Sequence, residues 1–250
     1  MGLVLDALND NLADFVARQP VFFVGTAPTD DDGHVNVSPK GLAGTFAVLG
    51  PTSVAYLDLG GSGIETTAHL RQNGRITLMF CSFDAKPLIV RLYGRGETLP
   101  AGTDGFEALR PHFGDDVAVA RAVIRVAVDR VSTSCGYAVP RMEFRSDRPT
   151  LQQSLGRKSA DQLAHSWTTA NRESIDGLSG LDVEHAHAVA AVDAQRAAHA
   201  AKAGQAAGPA GGAETGQPGQ AAGPAGGAET GRAGQAAEPA GGAGAVAGRS

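Results

Sequence analysis

The chain has 250 residues and a formal net charge of −5, so it lacks the basic balance that nucleic-acid binding calls for. No apolar run is long enough to span a bilayer, and the N-terminus lacks the basic start and apolar run of a secretory leader. The two cysteines, Cys81 and Cys135, form no metal or redox motif, which makes a reducing cytoplasm the expected setting.

From Leu5 to Arg18 the apolar residues Leu5, Leu8, Leu12, Phe15 and Val16 share one helical face, with Pro20 beyond the end. Val21 to Thr26 reads as a strand. Thr29-Asp30-Asp31-Asp32-Gly33 supplies turn chemistry, and Val35 to Ser38 returns as the second arm of a hairpin. Ser53 to Leu59 is a strand that ends in the corner Gly60-Gly61-Ser62-Gly63, and Ile64 to Asn73 reads as a helix. Arg75 to Phe83 and Pro87 to Leu99 are strands joined by a turn at Lys86-Pro87, so they are expected to pair antiparallel. Thr103 to Phe113 is a short helix. Arg121 to Thr133 alternates, with Val123, Arg125 and Ala127 against Ile124, Val126 and Val128. Two helices follow, Leu151 to Arg172 and Val183 to Lys202.

Beyond Lys202 the chain is dominated by Ala, Gly, Pro, Gln, Glu and Thr. Gly204 to Gly216 repeats at Gly219 to Gly231, and a decayed copy starts at Gly234. Such a segment lacks the large apolar side chains that offset the entropy of ordering, and Gly does not recur at every third position as in collagen. A disordered tail is expected over 202–250, after a barrel domain over 1–150 and a helical extension over 151–201. Short connections between most strands favour an antiparallel barrel over a doubly wound parallel sheet. The expected class is α+β, built on a small antiparallel barrel or meander with flanking helices.

The chemistry concentrates in two places. The strand Val35-Asn36-Val37-Ser38 runs into Pro39-Lys40-Gly41, which puts a hydroxyl and a cation together as a socket for a phosphate. Pro39 fixes the backbone and Gly41 frees it, so Lys40 is aimed. The corner Gly60 to Gly63 exposes N–H groups at the positive end of a helix. It lacks the third glycine of a dinucleotide fingerprint and a Walker lysine, so a plain tight turn is the competing reading. Arg91, Arg95 and Glu97 form one polar strand face, and Gly94 and Gly96 mark a bulge or a close backbone approach. Cys135 has no base partner in the sequence and reads as structural. His185 and His187 point to different helical faces and make no metal pair. Trp167 is expected to pack in the core or at a subunit interface.

Three segments in order carry a family resemblance. They are Phe22 to Thr26 with Gly33 to Gly41; Tyr56-Leu57-Asp58 with Gly63 and Ala68 to Ile76; and Arg91 to Gly96. The stretch from about Phe22 to Phe144 resembles the pyridoxamine 5'-phosphate oxidase-like superfamily of flavin-binding split barrels. The resemblance makes the antiparallel barrel a split barrel and implies a homodimer with FMN in a cleft at the interface. It implies that Val35, Asn36, Val37 and Ser38 run along the flavin, that Lys40 meets its phosphate, and that Ser62, Gly63 and Thr66 close over it. Asp58 and Arg91 complete the implied contacts, and no side chain is singled out as catalytic. The chain departs from the vitamin oxidase where Ser-Arg-Lys gives way to Ile64-Glu65-Thr66. Glu65 would repel a phosphate and is expected to point away or to cap the helix. Lys40 would then act with Arg71 or a partner-chain arginine. Glu143-Phe144 is followed by Arg145-Ser146, with no Arg-x-His run, which argues against the vitamin phosphate as substrate. The implied function is an FMN-dependent oxidoreductase acting on a small-molecule substrate or electron donor. The alternatives are a non-catalytic flavin, deazaflavin or haem sensor on the same barrel, or a structural module whose corner is only a turn.

Overall fold

The computed structural model describes residues 2–61 and 63–206. Ser62 and the repeats from 207 onward, where the disordered tail was expected, lie outside the described residues. The N-terminal segment divides unlike its helical pattern: Val4–Leu5 is a short strand, β1, and α1 spans only Asp10–Arg18. Two features cause this. Val4 and Leu5 pair with Ser132 and Val131 of a later strand, and the Asn9 side chain accepts from the Leu12 amide as an N-cap.

The hairpin follows as β2 (Val21–Thr26) and β3 (Asn36–Gly41), then β4 (Phe46–Gly50) and β5 (Ser53–Asp58). α2 (Glu65–Asn73) leads into β6 (Arg75–Cys81) and β7 (Ile89–Pro100). α3 (Asp104–Leu109) and one 3-10 turn precede β8 (Ala122–Ser134). Among the described residues these strands form one curled sheet in the order β3-β2-β6-β7-β8-β5-β4, with β1 added on β8. The pairs along it run antiparallel, as expected for the split barrel. β8 carries a bulge: Tyr93 faces Arg130 while Gly94 faces Val128, leaving Asp129 unpaired. Gly94 is needed there because a Cβ would meet the Ala127 carbonyl at 2.0 Å.

The sheet buries both faces where it must. Inside the curl, Phe22, Val24, Tyr56, Leu78, Phe80, Leu92 and Val126 pack with Leu12, Phe15 and Val16 of α1. The Phe22 and Phe80 rings stack with centroids 5.2 Å apart. Outside it, Ala55, Leu57 and Val123 are covered by a second cluster containing Phe106, Leu163, Trp167 and Val192. Phe106 comes from α3 and the rest of that cover from the helical extension: α4 (Thr150–Arg157), α5 (Ala160–His165) ending in a π turn over Ser166–Ala170, and α6 (His185–Ala206). Trp167 is a core residue of this cluster. The single helix expected over 151–172 is broken at Ser159, whose side chain and Gln162 form a capping box. α6 continues past Lys202 to Ala206. No helix among the described residues is long and apolar enough to cross a membrane.

Candidate functional site

Strand alternation sorts the β3 side chains onto two faces. Asn36, Ser38 and Lys40 stand opposite Thr26, Val24 and Phe22, which face the inside of the curl. Val37 and Pro39 stand opposite Gly25 and Phe23 on the outer face. Gly41 does not supply the conformational freedom expected of it. It sits in the strand, where a Cβ would meet the Pro20 carbonyl at 2.9 Å, and the left-handed turn falls on Leu42, at φ 77°.

Between β3, β5 and the start of α2 lies a cavity of about 220 Å³, walled by Ser38, Lys40, Tyr56, Asp58, Arg121 and the Gly63–Thr67 turn. No side chain caps α2, because its N-cap residue is Ile64, so its positive end opens on this space. Gly60, at φ +73°, turns the corner; its Asp58 partner accepts from the Gly60 amide at 3.2 Å.

Asp58 and Arg121 form a buried ion pair at the cavity floor. Arg121 Nε and Nη2 donate to Asp58 Oδ2 at 3.0 and 2.8 Å, and Nη2 also donates to the Gly63 carbonyl at 3.2 Å. Burial by itself pushes the Asp58 carboxyl up. The charges of Arg121 and Lys40 and the hydrogen bonds from Arg121 and Gly60 outweigh it and hold the group below its usual range. Arg121 Nη1 is buried with no partner, and so is the Tyr56 hydroxyl. Burial, then the Asp58 charge, raises the phenol well above its usual pKa. Thr66 lowers it slightly but offers no hydrogen bond of acceptable geometry. A buried unpaired hydroxyl costs about 1–3 kcal/mol. Tyr56→Phe should therefore leave the ligand-free protein as stable as the parent or more so, which thermal melting would read. A clear loss of stability would mean the hydroxyl is satisfied internally.

A polar chain ties β3 to α2. Ser38 Oγ donates to Asn36 Oδ1 at 2.9 Å, and Asn36 Nδ2 donates to Thr26 Oγ1 and Thr66 Oγ1, each at 3.1 Å. Thr26 Oγ1 meets His69 Nδ1 at 3.0 Å. Burial lowers the His69 pKa, against smaller upward effects of Asp176 and Glu65, so the ring is neutral at neutral pH.

The structure thus brings Ser38, Lys40, Asp58, Gly63 and Thr66 to one cavity, with Asn36 braced behind them. Val35 and Val37 are 72% and 67% exposed and lie away from it. Arg91 shares the outer face with Val37, at the end of the cross-strand row Pro39, Phe23, Met79, Arg91, and donates to Ser134 Oγ at 3.1 Å. Arg71 does not reach the cavity. It donates to the Gly180 carbonyl at 2.6 Å and pairs with Asp182. Glu65 does not turn away, nor does it cap the helix; it lines the cavity with its carboxylate folded over Gly63. Tyr56 and Arg121, the cavity's two unsatisfied polar residues, were not named as site residues from the sequence. Tyr56 was readable, because it lies two residues before Asp58 on an alternating strand. Arg121 carried a weaker signal: a buried Asp demands a cation, but nothing local says which.

A family profile described as Pyridoxamine 5'-phosphate oxidase matches residues 8–135. The pyridoxamine 5'-phosphate oxidase family protein ustO of Aspergillus flavus is 41% identical over 199 residues, covering 72% of this chain and 78% of its own length. Among solved structures, HupZ from Group A Streptococcus is 21% identical, with a TM-score of 0.39. It covers 50% of this chain and 91% of its own. A FAD-binding protein from Mesorhizobium loti is 17% identical, with a TM-score of 0.37, covering 53% and 96%.

Proposed function

The chain belongs to the pyridoxamine 5'-phosphate oxidase family, and from that premise we propose that it binds FMN as a homodimer and acts as an oxidoreductase on a small molecule. The observation that carries this reading is the convergence of unsatisfied donors on one cavity. The Tyr56 hydroxyl and Arg121 Nη1 are buried without partners, and Lys40, Ser38 and the uncapped end of α2 surround the same space. A phosphate dianion supplies the acceptors that these groups lack. The cavity, about 220 Å³, is smaller than the roughly 300–1,000 Å³ of whole-ligand sites. It suits the phosphate end of the ligand, with the ring lying outside along β3.

Bound flavin supplies two-electron transfer between a reduced donor and an acceptor. The chain's own groups bind and orient. Lys40 and Arg121 offset the phosphate charge, Asp58 fixes the Arg121 plane, and the Asn36–Thr66 bond holds β3 against α2. What supports a dimer is the outer sheet face. Pro39, Phe23, Met79 and Arg91 form one row, and Val37, Gly25, Thr77 and Tyr93 the next; these residues are exposed or half-buried. Val37 and Arg91 lie on the outer face and Val35, just before β3, is exposed, so the flavin contacts that the resemblance implies for them would be made to a second copy's flavin. Light scattering should give twice the chain mass.

Glu65 supplies a sharper test. Its carboxylate lies at the positive end of α2, where a dianion would be repelled by it. Glu65→Gln should raise FMN affinity about threefold or more, and reduced affinity would mean the carboxylate helps hold the ligand. The decisive first measurement is the absorbance spectrum of the purified protein with added FMN. A flavin spectrum with tight binding is expected, followed by oxidation of a reduced nicotinamide. A Soret band, or indifference to FMN, would sink the proposal.

A further inference from the structure

We infer that the C-terminal extension is part of the ligand site, with Asp176 and the segment 171–182 acting as positioning groups that hold the cavity rim from outside. This rests on the flavin reading above. The segment is a small built hairpin. Ser174 N–H donates to the Leu178 carbonyl at 2.9 Å, and Ser174 Oγ accepts from the Asp176 and Leu178 amides at 3.3 and 3.1 Å. Glu173 bridges Ser179, and the Gly180 amide donates to the Arg172 carbonyl at 2.8 Å.

It grips both walls of the cavity. On one side, Gly180 lies so close to the α2 cap residue that a Cβ on it would meet Ile64 Cγ1 at 2.5 Å. Arg71, in the last turn of α2, is bonded to the Gly180 carbonyl and paired with Asp182. On the other side, the Asp176 carboxylate accepts from the His34 amide at 2.9 Å and meets His34 Nδ1 at 2.6 Å. His34 lies two residues before the strand that carries Asn36, Ser38 and Lys40. Trp167, from the same extension, backs the corner that leads into the cavity, because a Cβ on Gly60 would sit 2.7 Å from its Nε1.

The contacts at Gly60 and Ile64 flank a glycine-rich stretch of the wall. The corner from Gly60 to Gly63 is glycine-rich, and glycine loses the most backbone freedom on ordering. A wall ordered before the ligand arrives spares the ligand that cost, which appears as slower dissociation. The coupling must be reciprocal: a ligand that benefits from the clamp must also stabilise it.

The test uses the full chain with FMN, and with riboflavin as the probe lacking phosphate. Asp176→Ala removes both bonds to His34 from a half-buried position, and Asp176→Asn keeps an acceptor. Asp176→Ala is expected to speed FMN dissociation about tenfold, with the ligand-free melting temperature unchanged and riboflavin affected less. Asp176→Asn should recover part of the loss. Hydrogen exchange across 172–181 should slow when FMN is added to the parent protein. Equal FMN dissociation from parent and Asp176→Ala, or exchange in that segment indifferent to FMN, overturns the inference alone. A parent protein that binds no FMN overturns the flavin reading, and this inference with it.

Discussion

Arg121→Leu is expected to destabilise the fold by about 3–5 kcal/mol, the usual cost of removing one partner from a buried ion pair. Both partners are nearly inaccessible: Arg121 is 3% exposed and Asp58 8%. The loss would come less from the missing attraction than from a carboxylate left behind without its counter-charge. The pH dependence separates the two. In the parent, the Asp58 pKa lies below its ordinary value. Its contribution is therefore present above the unfolded carboxyl pKa, about 3.9, and is lost as pH falls through the lower folded value. In Arg121→Leu, burial acts unopposed by that cation, and the folded pKa rises above the unfolded one. The variant then loses stability as pH rises. The gap between the two proteins should widen as pH rises through the ordinary carboxyl range, about 3.9, and narrow in acid, as denaturant melts at several pH values would read. Replacing Asp58 as well, by an apolar residue of similar size, should recover much of the loss. A gap that does not change with pH would mean that Asp58 is not left ionised and unpaired.

The ion pair also shows where sequence reading stops. Val21–Thr26 matches its predicted limits, because a short run of β-branched and aromatic residues bounded by Pro20 and turn residues is decided within the strand itself. Gly94 signalled a bulge or a close approach, as glycine inside a long strand does, and the structure has both there. Strand β4 was missed. Each residue of Phe46–Gly50 is half-buried, so no alternation marks it. The break at Ser159 was readable in principle, because Ser and Gln three apart spell a capping box. The N-terminal boundary was not, because Leu5 leaves the helical pattern to pair with Val131, far along the chain. The site divides in the same way. Ser38 and Lys40 share a cavity face because strand period and sequence spacing decide that locally. Arg121 reaches Asp58 across the β5–β8 pairing, and the clamp meets His34 from Asp176; neither contact leaves a local trace.

Lys40→Ala should weaken FMN binding about 10- to 100-fold, the range that follows from losing one hydrogen bond to a charged group. Lys40 lines the cavity from β3, on the face it shares with Ser38 and opposite the Asp58–Arg121 pair. Arg121 already commits its Nε and Nη2 to Asp58, so it can offer the phosphate only the remaining Nη1. Lys40 is not tied in this way, and its charge is the one that an incoming dianion can claim fully. The loss should therefore be specific to the phosphate. Riboflavin affinity should stay near that of the parent, and the FMN affinity of the variant should fall less steeply with added salt. Lys40→Arg, which keeps the charge in a different shape, should retain part of the binding. The ligand-free fold should change little, since Lys40 is half-exposed; the Asp58 carboxyl should rise somewhat, because Lys40 is among the charges that hold it down. Equal losses for FMN and riboflavin would mean that Lys40 supports the wall and not the phosphate. Unchanged FMN affinity would remove it from the site and leave Arg121, the Tyr56 hydroxyl, Ser38 and the end of α2 to hold the phosphate.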